Sequence, residues 1–163
     1  MKASPEDVAQ SETAKNLIAA DQYSSLSECD LVIEAVFEDP ALKAKTLSAI
    51  EKHLHPNAIL ASNTSTLPIS GLADALQNRK EFLGIHFFSP VDKMRLVELI
   101  KGKDTSERAL AVGFDYSRLI SKTPIIVNDA RGFFANRCVL NFIREGQIML
   151  TEGVPPAMIE NIA

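Results

Sequence analysis

His86 and Glu98 are the residues whose types and spacing point first to chemistry. His86 closes the apolar run Phe82-Leu83-Gly84-Ile85-His86-Phe87, and Pro90 stops that run because proline lacks the N–H a central ladder requires. Glu98 interrupts a second run, Leu96-Val97-Glu98-Leu99-Ile100. At a period of two, Leu96, Glu98 and Ile100 share one strand face while Val97 and Leu99 share the other, so a carboxylate sits within an apolar face. Such a group needs a partner, a proton or water. An imidazole paired with a carboxylate is the simplest unit of general-base catalysis. A second reading stands beside it: His86 as a hydrogen-bonded core residue and Glu98 on a solvated edge. Spacing alone leaves both open.

Two polar clusters accompany this pair. Ser62-Asn63-Thr64-Ser65-Thr66 follows the short apolar segment Ala58-Ile59-Leu60-Ala61. Polar groups just past the C-terminal end of a parallel strand are where an open α/β sheet binds its ligand; capping of a local turn is the structural alternative. Asp129, Arg131, Asn136 and Arg137 gather at the head of a long helical pattern, with Asn136 leading the stripe Leu140, Ile143, Gln147 and Leu150.

These residues are positioned by an alternation of strands and helices. Asp30-Leu31-Val32-Ile33-Glu34-Ala35-Val36 reads as a buried strand whose near-continuous apolar character suits a parallel sheet. Asp39-Pro40 opens a helix over residues 41–53, with Leu42, Thr46, Ile50 and Leu54 expected to face the sheet. Strands over 58–62 and 82–87 follow, separated by a short helix over 70–77. A helix over 106–121, a strand over 124–127, a long helix over 133–151 and a short one over 157–162 complete the pattern. An N-terminal helix starting at Pro5 and running through Leu17-Ile18 is also expected. Short connections between alternating elements predict a doubly wound sheet whose strand ends bring the Ser/Asn/Thr cluster and His86 to one rim. The pattern changes at Asn128, beyond which only helices occur. A boundary is expected there, dividing the chain into 1–128 and 129–163. The second part is too short for a core of its own and is expected to pack on the sheet or on another chain.

Composition narrows the function classes. A net charge of -4 argues against a general nucleic-acid binder, and 46% apolar with 23% charged residues is an ordinary globular balance. Cys29 and Cys138 have no paired-cysteine spacing, so no metal site is expected, and with no secretory leader visible the expected location is the cytoplasm. No apolar run reaches the length of a bilayer span. GxGxxG, P-loop, HExxH and GxSxG motifs are all absent from this sequence.

Five segments in register carry a family resemblance: Asp30-Leu31-Val32-Ile33-Glu34-Ala35-Val36-Phe37-Glu38, Ser62-Asn63-Thr64-Ser65, His86-Phe87-Phe88-Ser89-Pro90-Val91, Leu96-Val97-Glu98-Leu99-Ile100 and Gly132-Phe133-Phe134-Ala135-Asn136-Arg137. From about Asp21 onward the chain resembles the L-3-hydroxyacyl-CoA dehydrogenase family, most of all the dehydrogenase region of multifunctional fatty-acid oxidation alpha subunits. The resemblance implies an α/β fold, a partial Rossmann-like NAD-binding domain over 1–128 followed by the beginning of an all-helical domain over 129–163. It implies NAD-dependent oxidation of an L-3-hydroxyacyl-CoA to the 3-ketoacyl-CoA in β-oxidation, with an acyl-CoA substrate and a homo-oligomer of two or more copies. On the family's pattern His86 is the general base, Glu98 holds its ring, and Ser65 and Asn136 hydrogen-bond the reacting oxygen. Glu38, Lys43 and Asn63 match positions near the ribose and nicotinamide of the cofactor. The family's glycine-rich pyrophosphate loop and much of its helical domain have no counterpart in this sequence, so NAD binding is expected to be weakened. A non-catalytic acyl-CoA-binding or assembly module derived from the dehydrogenase is the alternative.

Overall fold

A computed structural model describes residues 16–162. The expected N-terminal helix lies mostly outside them; its described end, Leu17 and Ile18, is exposed and not helical. After a 3-10 turn at Tyr23–Leu26, the chain forms β1 (Leu31–Glu34), α1 (Pro40–Glu51), β2 (Ile59–Ser62), α2 (Ile69–Ala73) and β3 (Phe82–Phe87). It continues through β4 (Leu96–Lys101), α3 (Glu107–Leu119), β5 (Thr123–Asn128), α4 (Ala135–Thr151) and α5 (Pro156–Ile162). Local chemistry sets several of these ends. The Asp39 carboxylate accepts from the Leu42 amide and Pro40 occupies the first turn of α1, while Ser106 accepts from Ala109 at the start of α3.

The five strands form one sheet in sequential order. β1–β2, β2–β3 and β4–β5 pair in parallel; β3 and β4 pair antiparallel, with His86 directly opposite Glu98. Opposed residues of an antiparallel pair project from the same face, so this register alone puts imidazole and carboxylate side by side. Helices cover both faces. Val32, Leu60, Phe82 and Ile100 pack with Leu47 and Ile50 of α1, Ile69 and Leu72 of α2, and Phe133. Ile59, Ala61, Leu83, Ile85, Val97 and Leu99 pack with Ala109 and Leu110 of α3. The result is the Rossmann-like layering that near-continuous apolar strands require.

One expectation changes. In α1 the inward face is Lys43, Thr46, Leu47 and Ile50, whereas Leu42 is 42% exposed. The buried stripe includes a lysine because a buried carboxylate waits for it. None of the residues of α4 is buried, and it packs on α5, so the packing of this part on the sheet falls to the segment before the helix. Only Phe133, just before it, enters the sheet core.

Candidate active site

His86 and Glu98 make the central contact. His86 Nδ1 and Glu98 Oε2 are 2.8 Å apart, and both side chains are buried. The other carboxylate oxygen, Oε1, accepts from the backbone N–H groups of Phe134 at 3.0 Å and Ala135 at 2.8 Å. Burial alone would raise the Glu98 carboxyl; the bonds from His86, Ala135 and Phe134, with the charge of His86, outweigh it and hold the group below the usual carboxylate range. An ionised carboxylate only accepts, so Nδ1 carries the shared proton and Nε2 is left as the basic nitrogen. Among the described residues no group hydrogen-bonds Nε2. The ring is flanked by Phe88, with centroids 4.5 Å apart, and Phe133, at 5.7 Å, tilted to it by 52° and 59°.

The loop after β2 forms the second part of the site. Glu38 Oε1 accepts from Thr64 Oγ1 at 2.6 Å, from the Ser65 and Thr66 amides at 2.9 and 3.0 Å, and from Thr66 Oγ1 at 3.2 Å. Burial raises the Glu38 carboxyl, but these bonds and the nearby Lys43 charge leave it lowered overall. Ser65 contributes backbone groups here: its carbonyl accepts from Asn136 Nδ2 at 2.9 Å. Asn63 Oδ1 accepts from the amide of Phe87, the residue after His86, at 3.0 Å.

Lys43 lies beneath this loop, 1% exposed. Its Nζ donates to Glu34 Oε1 at 2.9 Å and the Val36 carbonyl at 3.0 Å, and stands 3.4 Å from Glu38 Oε2. Glu34 also accepts from Ser62 Oγ at 2.7 Å and the Val36 amide at 2.5 Å. Lys43, Glu38, Ser65 and Asn136 are joined by direct contacts, as are Glu98 and His86. The two groups are linked through the Phe134 and Ala135 backbone just before Asn136, and Asn63 reaches only Phe87, the neighbour of His86. Glu34 is the member the sequence reading passed over. Its signal was available: it is a carboxylate inside the apolar run Leu31-Val32-Ile33, by the same logic that singled out Glu98.

Fold and site together define a Rossmann-like domain with a buried histidine–carboxylate pair at the edge of a polar rim. Residues 2–130 match the family described as 3-hydroxyacyl-CoA dehydrogenase, NAD binding domain. The chain belongs to this family. The match takes in residues upstream of Asp21, where the recognisable motifs begin. Over 140 residues the chain is 43% identical to the fatty acid oxidation complex subunit alpha of Acinetobacter baumannii, covering 86% of this chain and 20% of that one. The chain therefore spans about a fifth of the length of the curated relatives it matches. It is also similar to the crystal structure of (S)-3-hydroxybutyryl-CoA dehydrogenase from Ralstonia eutropha, at 37% identity and a TM-score of 0.86 over 94% of this chain and 53% of that one. Against 3-hydroxybutyryl-CoA dehydrogenase from Escherichia coli the identity is 28% and the TM-score 0.85, over 94% and 32% of the two chains. No described helix is long and apolar enough to cross a membrane, and the described residues hold no group of three or more metal-ligating side chains.

Proposed function

We propose that this chain carries the proton-transfer half of an NAD-dependent L-3-hydroxyacyl-CoA dehydrogenase acting in fatty-acid β-oxidation. The observation that supports it most directly is the buried His86–Glu98 contact in register across β3 and β4. In this reading His86 Nε2 takes the proton of the substrate's 3-hydroxyl, and Glu98 stabilises the imidazolium that forms. Asn136 and Ser65 orient the reacting oxygen, an arrangement that contributes through positioning and electrostatics.

The donor set fits one end of the cofactor. Glu38 Oε2 and Asn63 Nδ2 supply a carboxylate oxygen and an amide donor suited to ribose hydroxyls and a carboxamide, the Ser65 and Thr66 amides being spent on Glu38 Oε1, while Lys43 supports Glu38 from below. NAD, when bound, supplies the hydride acceptor. With no GxGxxG in the sequence, the pyrophosphate has no glycine cradle in this chain, and weak binding is expected by calorimetry; a low-micromolar Kd would overturn that expectation. For the acyl-CoA, an open cleft of about 540 Å³ beside the site is lined by Val127, Phe133, Phe134, Arg137 and Asn141, a mixture of apolar wall and polar anchors.

Residues 1–128 are the nucleotide-binding part in this reading and 129–163 the start of a helical part. Leu140, Phe142, Ile143 and Leu150 of α4 are exposed, which favours a dimer or larger assembly in the cytoplasm. Size-exclusion chromatography tests this, and a clean monomer refutes it. The decisive assay for function is NADH formation from an L-3-hydroxyacyl-CoA by the purified chain and its His86→Ala form. Equal rates from both would sink the assignment. Binding of an acyl-CoA analogue without NADH formation would favour the second reading, a non-catalytic acyl-CoA-binding or assembly module, for which the wholly unburied α4 is the favouring observation.

A further inference from the structure

From β5 into the first turn of α4 the chain crosses the site as a strap over residues 129–136, fixed at five successive places. Asp129 spends both carboxylate oxygens on the loop side, with Oδ1 accepting from the Ile69 amide and Oδ2 from the Ser70 amide, each at 2.8 Å. Gly132 N–H donates to the Thr66 carbonyl at 3.2 Å. Phe133 is 2% exposed and packs against His86 with the two rings tilted by 59°. The amides of Phe134 and Ala135 then close on Glu98 Oε1, and Asn136 reaches the Ser65 carbonyl.

The backbone that allows this is unusual. Gly132 and Phe133 have φ of 73° and 49°, two consecutive residues in the left-handed region. Glycine adopts that conformation freely, whereas phenylalanine does so only when its surroundings fix it. This double turn points the ring of Phe133 at His86 while the next two N–H groups face Glu98.

We infer that the strap sets the geometry of the His86–Glu98 pair, with Asp129 and Gly132 acting as positioning residues for the general base although neither touches its ring. Glu98 has one oxygen for His86 and one for the strap. If Asp129 releases the loop, or residue 132 leaves the left-handed region, the Phe134 and Ala135 amides move away from Oε1. The carboxylate is then free to rotate, and Nδ1 loses the fixed acceptor that keeps Nε2 basic and aimed. This inference rests on the assignment of His86 as the base, so its test is independent of turnover.

The experiment is heteronuclear NMR of the full chain labelled with 15N, following the His86 Nδ1 proton and the amides of Ile69, Ser70, Phe134 and Ala135. Asp129→Asn keeps the shape but leaves one acceptor oxygen, its –NH2 facing the other backbone N–H, so one of the two bonds is lost. Gly132→Ala disfavours the left-handed turn, and its added Cβ would meet only Asn136 Cβ at 3.7 Å and Arg137 Cγ at 3.9 Å. In both variants the His86 Nδ1 proton is expected to move upfield and exchange about tenfold faster, the factor that losing a charge-assisted hydrogen bond implies. Changes at Phe134 and Ala135 should accompany it. An unchanged His86 signal in either folded variant overturns the inference, as does failure of both to fold, since that would place these residues in overall stability. If His86→Ala retains NADH formation while the strap variants move the His86 signal, the positioning stands and the catalytic assignment fails.

Discussion

Replacing Lys43 by methionine should destabilise the domain through Glu34 rather than through lost packing. Methionine is close to lysine in length and fills the same slot, so the transfer and cavity contributions are small. What disappears is the only cation near Glu34 among the described residues, in a pair whose side chains are 1% and 0% exposed. Removing one member of a buried ion pair costs about 3–5 kcal/mol, because the other charge stays buried. Glu34 keeps Ser62 Oγ at 2.7 Å and the Val36 amide at 2.5 Å, which favours the lower end, about 3 kcal/mol. With a urea slope of about 2 kcal/mol/M, the unfolding midpoint should fall by about 1.5 M. Urea titration followed by far-UV circular dichroism measures this. Combining Lys43→Met with Glu34→Gln should recover about half of the loss, since the stranded charge is gone. A midpoint shift below about 0.5 M would refute the reasoning, and so would an undiminished cost of Lys43→Met in the Glu34→Gln background.

Glu38 and Glu98 both hold carboxyls below the 4.5 of a free glutamate, so between their folded values and 4.5 the unfolded chain binds more protons than the folded one. Their contribution to stability is complete above that value and is lost as pH falls through the folded values; urea midpoints from pH 7 down to pH 3 should fall less steeply in Glu98→Gln, and parallel curves would count against it. Gly84→Ala should cost about 1–3 kcal/mol, because its Cβ would stand 2.8 Å from Ile100 Cδ1 and Ile69 Cδ1 and 2.9 Å from Ile100 Cβ. An unchanged urea midpoint would mean this layer yields freely. Asn63→Ala removes the acceptor for the Phe87 amide and should cost about 1 kcal/mol, with hydrogen exchange at Phe87 accelerated; unaltered protection there would contradict the bond.

The sequence by itself determined the layering and the chemistry available to it. Unbroken apolar runs such as Ile59–Ala61 and Leu83–Ile85 need cover on both faces, and the period-two pattern around Glu98 exposes a carboxylate that has to find a partner. Those are local facts about where apolar groups fall, so they are legible without a fold. Five segments in register also carried the family, whose resemblance implies His86, Glu98, Ser65 and Asn136 as a set. What only the tertiary structure decided is which groups spend their bonding capacity on each other. Helical spacing points Leu42 at the sheet, yet Lys43 takes the buried place because Glu34 on β1 lies under that face. The antiparallel pairing of β3 with β4 placed His86 against Glu98, and a left-handed pair at Gly132 and Phe133 brought the next two amides to the same carboxylate. Register, handedness and buried charge pairing follow from how the elements pack: the amides that complete Glu98 lie 36 and 37 residues away from it, and Asn136 meets Ser65 across 71.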